Sequence, residues 1–242
     1  MEDVLDTYCR PYDPLYPVVC LDETNRQLIE RRSIPAVPIH REFHNSKSTV
    51  LEGCESAVLE GCGSILPTYR ESAIPGHCER VDYEYRRCGV VDLFVAFEPL
   101  AARRIVKVTQ TRTAIDFALF VKELVDVHYS QAEKIVLVMD NLNIHTTASL
   151  YKAFVPQEAR RIAQRLEIHH TPKHASWLNM AEIEIGVLSR QCLAQPMTDI
   201  DTMRRNVLAW QSRRNAACST VNWRFTAVDA RIKLKRLYPV ID

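Results

Sequence analysis

Two aspartates close short apolar runs in this chain: Asp22 ends VVCLD and Asp140 ends VLVMD. Runs of this length, rich in β-branched residues, suit strands buried on both faces. Buried parallel strands tend to present functional groups at their C-terminal ends, and neighbouring strands lie about 4.8 Å apart. If these two strands are neighbours, their carboxylates converge at one edge of a sheet. Converging carboxylates repel, and leaving them buried and unpaired is costly. A divalent cation relieves both problems, and donors that are all oxygen favour Mg²⁺ or Mn²⁺ over zinc. A third carboxylate would complete a two-metal site, and WLNMAEIEIGVLSRQC offers Glu182 and Glu184. On a helix, residues two apart point about 200° away from each other, so only one can join. Glu182 shares its face with Asn179, Gly186 and Ser189, and Glu184 shares its own with Met180, Val187 and Leu188. The polar row suits the wall of a metal site better, but periodicity alone is a weak arbiter.

The elements that would position these groups follow from pattern. Tyr16–Asp22 reads as a strand. Residues 82–97 hold two strand-like stretches broken near Cys88 and Gly89, and Arg104–Thr109 alternates as a further strand, which suggests an antiparallel meander. Thr113–Tyr129 carries Phe117, Phe120, Val121 and Leu124 at helical spacing, with Thr113 as N-cap and Asp116 placed for a capping box. Lys134–Asp140 is a second buried strand. Two short helices separated near Pro156 are expected between Thr146 and Leu166, then a strand over Glu167–Thr171 and a long helix over Trp177–Leu193. A helix between Arg104–Thr109 and Lys134–Asp140 permits a crossover, so the sheet should be mixed. This is the element order of an α/β, ribonuclease-H-like fold: a five-stranded mixed sheet flanked by helices.

The bulk numbers fit that reading. The chain has 242 residues, 47% hydrophobic and 25% charged, with net charge +1, ordinary for a globular protein. None of the eight cysteines forms a CxxC pair, which speaks against a zinc ribbon. No apolar run is long enough for a membrane span and no leader pattern opens the chain, so a cytoplasmic protein is expected. Residues 1–195 are read as the catalytic domain. Within them, 31–78 form an irregular insertion containing a near-repeat, VLEGCES followed by VLEGCGS. Residues 196–242 are read as a helical C-terminal tail, with helices over Asp199–Ala217 and Thr226–Leu237. From 199 onward nine Lys and Arg stand against four Asp, a net +5.

The segments VVCLDE, DYEYRRCG, VMDNLNIH and TPKHASWLNMAEIE resemble bacterial insertion-sequence transposases of the Tc/mariner superfamily, the insertion sequence 630 group. The resemblance runs to about residue 30 and from about residue 79 to the end. It implies a DDE endonuclease whose triad is Asp22, Asp140 and Glu182, with the Asn-x-x-Glu pattern of Asn179 and Glu182 deciding against Glu184. It further implies two Mg²⁺ or Mn²⁺ ions, cleavage of transposon ends, strand transfer into target DNA, double-stranded DNA as partner and a homodimer on that DNA. Asn141 and His145 would be supporting residues, orienting a metal-bound water or touching a phosphate, unless they cap the loop and the next helix. Lys173 and His174 could contact phosphate, and Trp177 could stack on a base or open the helix as a core aromatic. Arg204, Arg205, Arg213 and Arg214 could follow a DNA backbone or line an exposed face. Relatives carry an N-terminal helix-turn-helix module. Only 21 residues precede Asp22, so a truncated copy, or a module encoded separately, is expected. Residues 37–72 also exceed the corresponding connection in relatives. The alternative reading is a catalytically inactive, transposase-derived DNA-binding or assembly remnant.

Overall fold

The computed structural model describes residues 1–33, 83–173 and 175–238. Two compact units are distinguished, Met1–Glu30 with Arg87–Asp242, and Arg31–Arg86. Everything below concerns the first. The near-repeat of the expected insertion lies outside the described residues.

A five-stranded sheet has the order β3-β2-β1-β4-β5, built from β1 (Val18–Ser33), β2 (Tyr83–Glu98), β3 (Arg103–Thr109), β4 (Ile135–Met139) and β5 (Leu166–His170). β2 and β3 are antiparallel, whereas β1, β4 and β5 run parallel. The sheet is therefore mixed, in the ribonuclease-H-like arrangement expected from the sequence. Two strands are longer than the sequence suggests. β1 does not stop at Asp22, because hydrogen bonding to β2 carries it on through a polar stretch that ends the apolar signal. β2 is one strand rather than two. Gly89, at φ 129, takes a backbone conformation that side chains disfavour, so the chain passes through it without breaking.

Alternation along the strands divides the core. Val19, Leu21, Phe94 and Ala96 pack with Phe117, Phe120 and Val121 of α2 (Ala114–Glu123), Leu150 of α3 (Thr147–Ala153) and Ala159 and Ile162 of α4 (Pro156–Gln164). Leu93 and Val95 instead meet Ile185 and Leu188 of α5 (Met180–Gln191) and Met203, Val207 and Trp210 of α6 (Ile200–Ala216). A third cluster joins Cys20 and Val138 to Met180 and Ala181, to Ala230 of α7 (Ala227–Lys233), and to Val4, Leu5 and Tyr8 of α1 (Glu2–Tyr8), a helix the sequence pattern does not reveal. The residues read as a tail thus hold α6 and α7, and α6 also covers the open edge of β3. The Asn215 side chain accepts from the Arg104 N–H at 2.8 Å and donates to the Arg104 carbonyl at 2.9 Å. Among the described residues no helix is long and apolar enough to cross a membrane.

The α2 N-terminus has the expected capping box, Thr113 and Asp116 each satisfying the other's backbone N–H. Its last turn loosens into a π-helical turn at Leu124–His128. Thr113→Ala should lower stability by about 1 kcal/mol, seen as an earlier urea midpoint with an unchanged slope.

Candidate active site

Register puts the two aspartates side by side. Val18, Val19 and Cys20 pair with Val136, Leu137 and Val138, so Asp22 falls opposite Asp140, just beyond the last paired residues. Asp140 follows the end of β4, and Asp22 lies within β1 where its ladder with β4 has ended. Asp22 is 7% exposed. Burial, joined by the fields of Glu182, Glu23 and Asp140, pushes its carboxyl up to about 7 against the hydrogen bond it accepts from the Glu23 N–H. The buried Asn179 amide donates to Asp22 Oδ2 at 3.1 Å and to the Leu21 carbonyl at 2.8 Å.

Asn179 also starts the helix that carries Glu182. Its side-chain oxygen accepts the Ala181 N–H at 3.1 Å, making it the N-cap of α5. The long helix expected over Trp177–Leu193 is consequently interrupted: a 3₁₀ turn, Ser176–Leu178, precedes the cap. The Tyr8 hydroxyl donates to the Leu178 carbonyl at 2.7 Å and fixes that turn from α1. Glu182 sits in the first turn of α5, exposed, where helix dipole and sheet edge meet.

Glu184 is fully buried. It forms a two-pronged ion pair with Arg104, at 2.9 and 3.3 Å, and a second with Arg214, at 3.2 and 3.3 Å. Its charge is committed to holding α5 against β3 and α6. Of the two glutamates, Glu182 alone remains available at the sheet edge.

On the other side of Asp140 lies His145, fully buried. Its Nδ1 is 2.6 Å from Asp140 Oδ1, and its Nε2 is 2.9 Å from Glu23 Oε2. Burial opposes charge on this ring, yet the two carboxylates prevail and raise its pKa to about 9. The His145 hydrogen bond correspondingly lowers Asp140, against the opposing effect of burial. His145 therefore reaches neither solvent nor a phosphate, and Thr146 rather than His145 is the N-cap of α3. His170 Nε2 meets the His145 carbonyl at 2.9 Å and ties the loop to β5.

The remaining expected residues are scattered. Asn141 and Lys173 are exposed, and His174 lies outside the described residues. Trp177 is 46% exposed and packs against Trp223 and Phe225. Arg204, Arg205 and Arg213 are exposed on α6, whereas Arg214 is engaged by Glu184. Two further residues, Glu23 and Arg112, escape sequence reasoning. Glu23 hides behind its neighbour Asp22, and Arg112 carries no signal in a loop. Arg112 lies 3.4 Å from Glu23, and its charge lowers the pKa of Asp140.

Among the described residues no three His, Cys, Asp or Glu side chains stand in a ready-made coordinating array. The donor set nevertheless fits a hard divalent cation. Asp22, Asp140 and Glu182 offer oxygen alone, and the Asp22 carboxylate is disfavoured by negative fields that a cation would offset.

A family model described as DDE superfamily endonuclease matches residues 67–204, which include Asp140 and Glu182 and leave Asp22 outside. Comparison with curated protein sequences gives no match. Among solved structures, the chain is similar to the Mos1 transposase paired-end complex with left transposon end, at 13% identity and TM-score 0.36. It is also similar to the Mos1 mariner paired-end complex with Mn, at 14% identity and TM-score 0.35. In both cases the match covers 92% of this chain and 61% of the other.

Proposed function

The chain belongs to the DDE superfamily of endonucleases, and from that premise we propose that it is a DNA transposase catalytic domain, of the bacterial insertion sequence 630 type, that cuts transposon ends and joins them to target DNA. The observation that carries this reading is the electrostatic convergence of Asp22, Asp140 and Glu182 at one sheet edge. These three carboxylates would hold two Mg²⁺ or Mn²⁺ ions. When bound, such ions activate the attacking oxygen and stabilise the leaving oxygen of a phosphodiester. The protein's own part is positioning. Asn179 fixes Asp22 and starts the helix bearing Glu182, while His145 steadies Asp140. Arg112 and Lys173, with Arg204, Arg205 and Arg213 of α6, supply cations for phosphates of double-stranded DNA. A homodimer would bring two transposon ends together, in the cytoplasm on the nucleoid.

The test is a nicking assay on supercoiled plasmid carrying the DNA that flanks the reading frame. With Mg²⁺ or Mn²⁺ the purified chain should convert it to nicked and linear forms, and EDTA should block this. DNA that is bound yet left intact with either metal would reject catalysis and favour the inactive remnant. Preferential cutting of an RNA–DNA hybrid would redirect the reading to a different nuclease of the same fold.

A further inference from the structure

Glu23 is the residue after Asp22, so strand alternation sends the two side chains to opposite faces of the sheet. Asp22 faces Asn179 at the start of α5. Glu23 enters the α2 side, where its side chain is 3% exposed and meets His145, itself stacked at 5.0 Å on Phe117 of α2. A glutamate and a histidine are rarely buried this deeply unless each serves the other. Glu23 Oε2 and His145 Nε2 lie 2.9 Å apart, at an angle poorer than that of a good hydrogen bond, and neither atom has another hydrogen-bond partner among the described residues. The opposite ring nitrogen, Nδ1, holds Asp140 Oδ1 at 2.6 Å, and the Leu142 N–H reaches the same oxygen at 3.2 Å. The chain of contacts runs Glu23, His145, Asp140, and both hydrogen bonds to Asp140 converge on Oδ1.

Resting on the metal-dependent function above, we propose that Glu23 is a positioning residue: by engaging His145 Nε2 it fixes the imidazole that holds Asp140 Oδ1, and so presents Asp140 to a divalent cation. A carboxylate facing Nε2 requires a hydrogen there. Both ring nitrogens then act as donors, and the ring is locked between two acceptors. Oδ1 of Asp140 is thereby held from the protein side, leaving Oδ2 for the cation. Groups that orient a metal-bound side chain from behind in this way typically change metal affinity about 10- to 100-fold when replaced. Glu23 touches neither metal nor DNA in this arrangement and acts only through His145.

The test is a double-mutant cycle read by Mn²⁺ binding, using electron paramagnetic resonance of the free ion on the full chain. Circular dichroism confirms that each variant is folded. Glu23→Gln should weaken Mn²⁺ binding about tenfold or more. His145→Gln should weaken it similarly, and adding Glu23→Gln to it should produce little further loss. At fixed pH and without metal, ¹⁵N-edited spectra should show both His145 ring nitrogens protonated in the wild type and a shifted Nε2 in Glu23→Gln. Unchanged Mn²⁺ affinity in Glu23→Gln would overturn the positioning role and leave the function standing. A full additional loss in the His145→Gln background would also overturn it, making Glu23 a ligand in its own right. Absence of Mn²⁺ binding by the wild type would overturn the function and this role together.

Discussion

Replacing Asp22 by asparagine is expected to make the metal-free protein more stable and, at the same time, to remove its metal-dependent nicking. The two effects share one cause. In the folded chain the Asp22 carboxyl is pushed up to about 7 from an ordinary 3.8, by burial first and then by the neighbouring carboxylates. Between those two values the folded state binds the proton that the unfolded state has released. Stability therefore falls as pH rises from about 4 to about 7, and stays at the lower level above that. A shift of about three units corresponds to about 4 kcal/mol as an upper bound. The amide that Asp22→Asn introduces carries no charge and can still accept from Asn179, so the variant should lose this pH slope. Its gain over the wild type should be full at about pH 8 and vanish below about pH 4, as measured by urea denaturation in EDTA. Mn²⁺ should reverse the ranking. At roughly a hundredfold excess over its dissociation constant a ligand adds about 2.7 kcal/mol to the wild type, and the variant should gain far less. Loss of metal-assisted charge stabilisation is worth several kcal/mol at the transition state, on the order of 10³-fold in nicking rate. A variant that nicks like the wild type, or shows an unaltered pH slope, would remove Asp22 from the site.

Local signals are strong enough to predict much of the scaffold. The capping box of Thr113 and Asp116, the buried strand before Asp140 and the break at Pro156 each depend on residues a few positions apart, and each is present in the structure. Features set by tertiary partners are not legible. β1 extends past Asp22 because β2 lies beside it, although ETNRQ has no strand-like apolar pattern. α1 is short and acidic, and becomes a helix that matters only because Tyr8 reaches Leu178. In sequence His145 reads as a polar residue near solvent, yet a buried glutamate from another strand faces it. The division of labour between Glu182 and Glu184 is the most instructive gap. Helical periodicity shows that one must leave the site, but the reason lies 80 residues away in Arg104.

That division leads to the second large effect. Glu184→Ala should destabilise the fold by about 3–5 kcal/mol, because it leaves the guanidinium of Arg104 buried without its counter-ion. Arg104 is fully buried beside the Phe97 ring, and its other contacts, the Ala102 and Ser219 carbonyls, carry no full negative charge. Arg214 would lose the same partner but retains more access to water, so it should contribute less. For a chain of this size the loss corresponds to a melting temperature lower by roughly 10 °C. Glu182→Ala, two residues earlier on the same helix, removes an exposed carboxylate and should change stability by no more than about 0.5 kcal/mol. Its cost should fall on Mn²⁺ affinity and nicking. Glu184→Ala, assayed well below its melting temperature, should keep much of its Mn²⁺ binding, since α5 is still started by Asn179 and held by Ile185 and Leu188. If the two variants exchanged behaviours, with Glu184 needed for metal and Glu182 for stability, the assignment of the third carboxylate would be wrong. Equal losses in both measurements would show that the helix responds as one body and that the two glutamates do not divide these tasks.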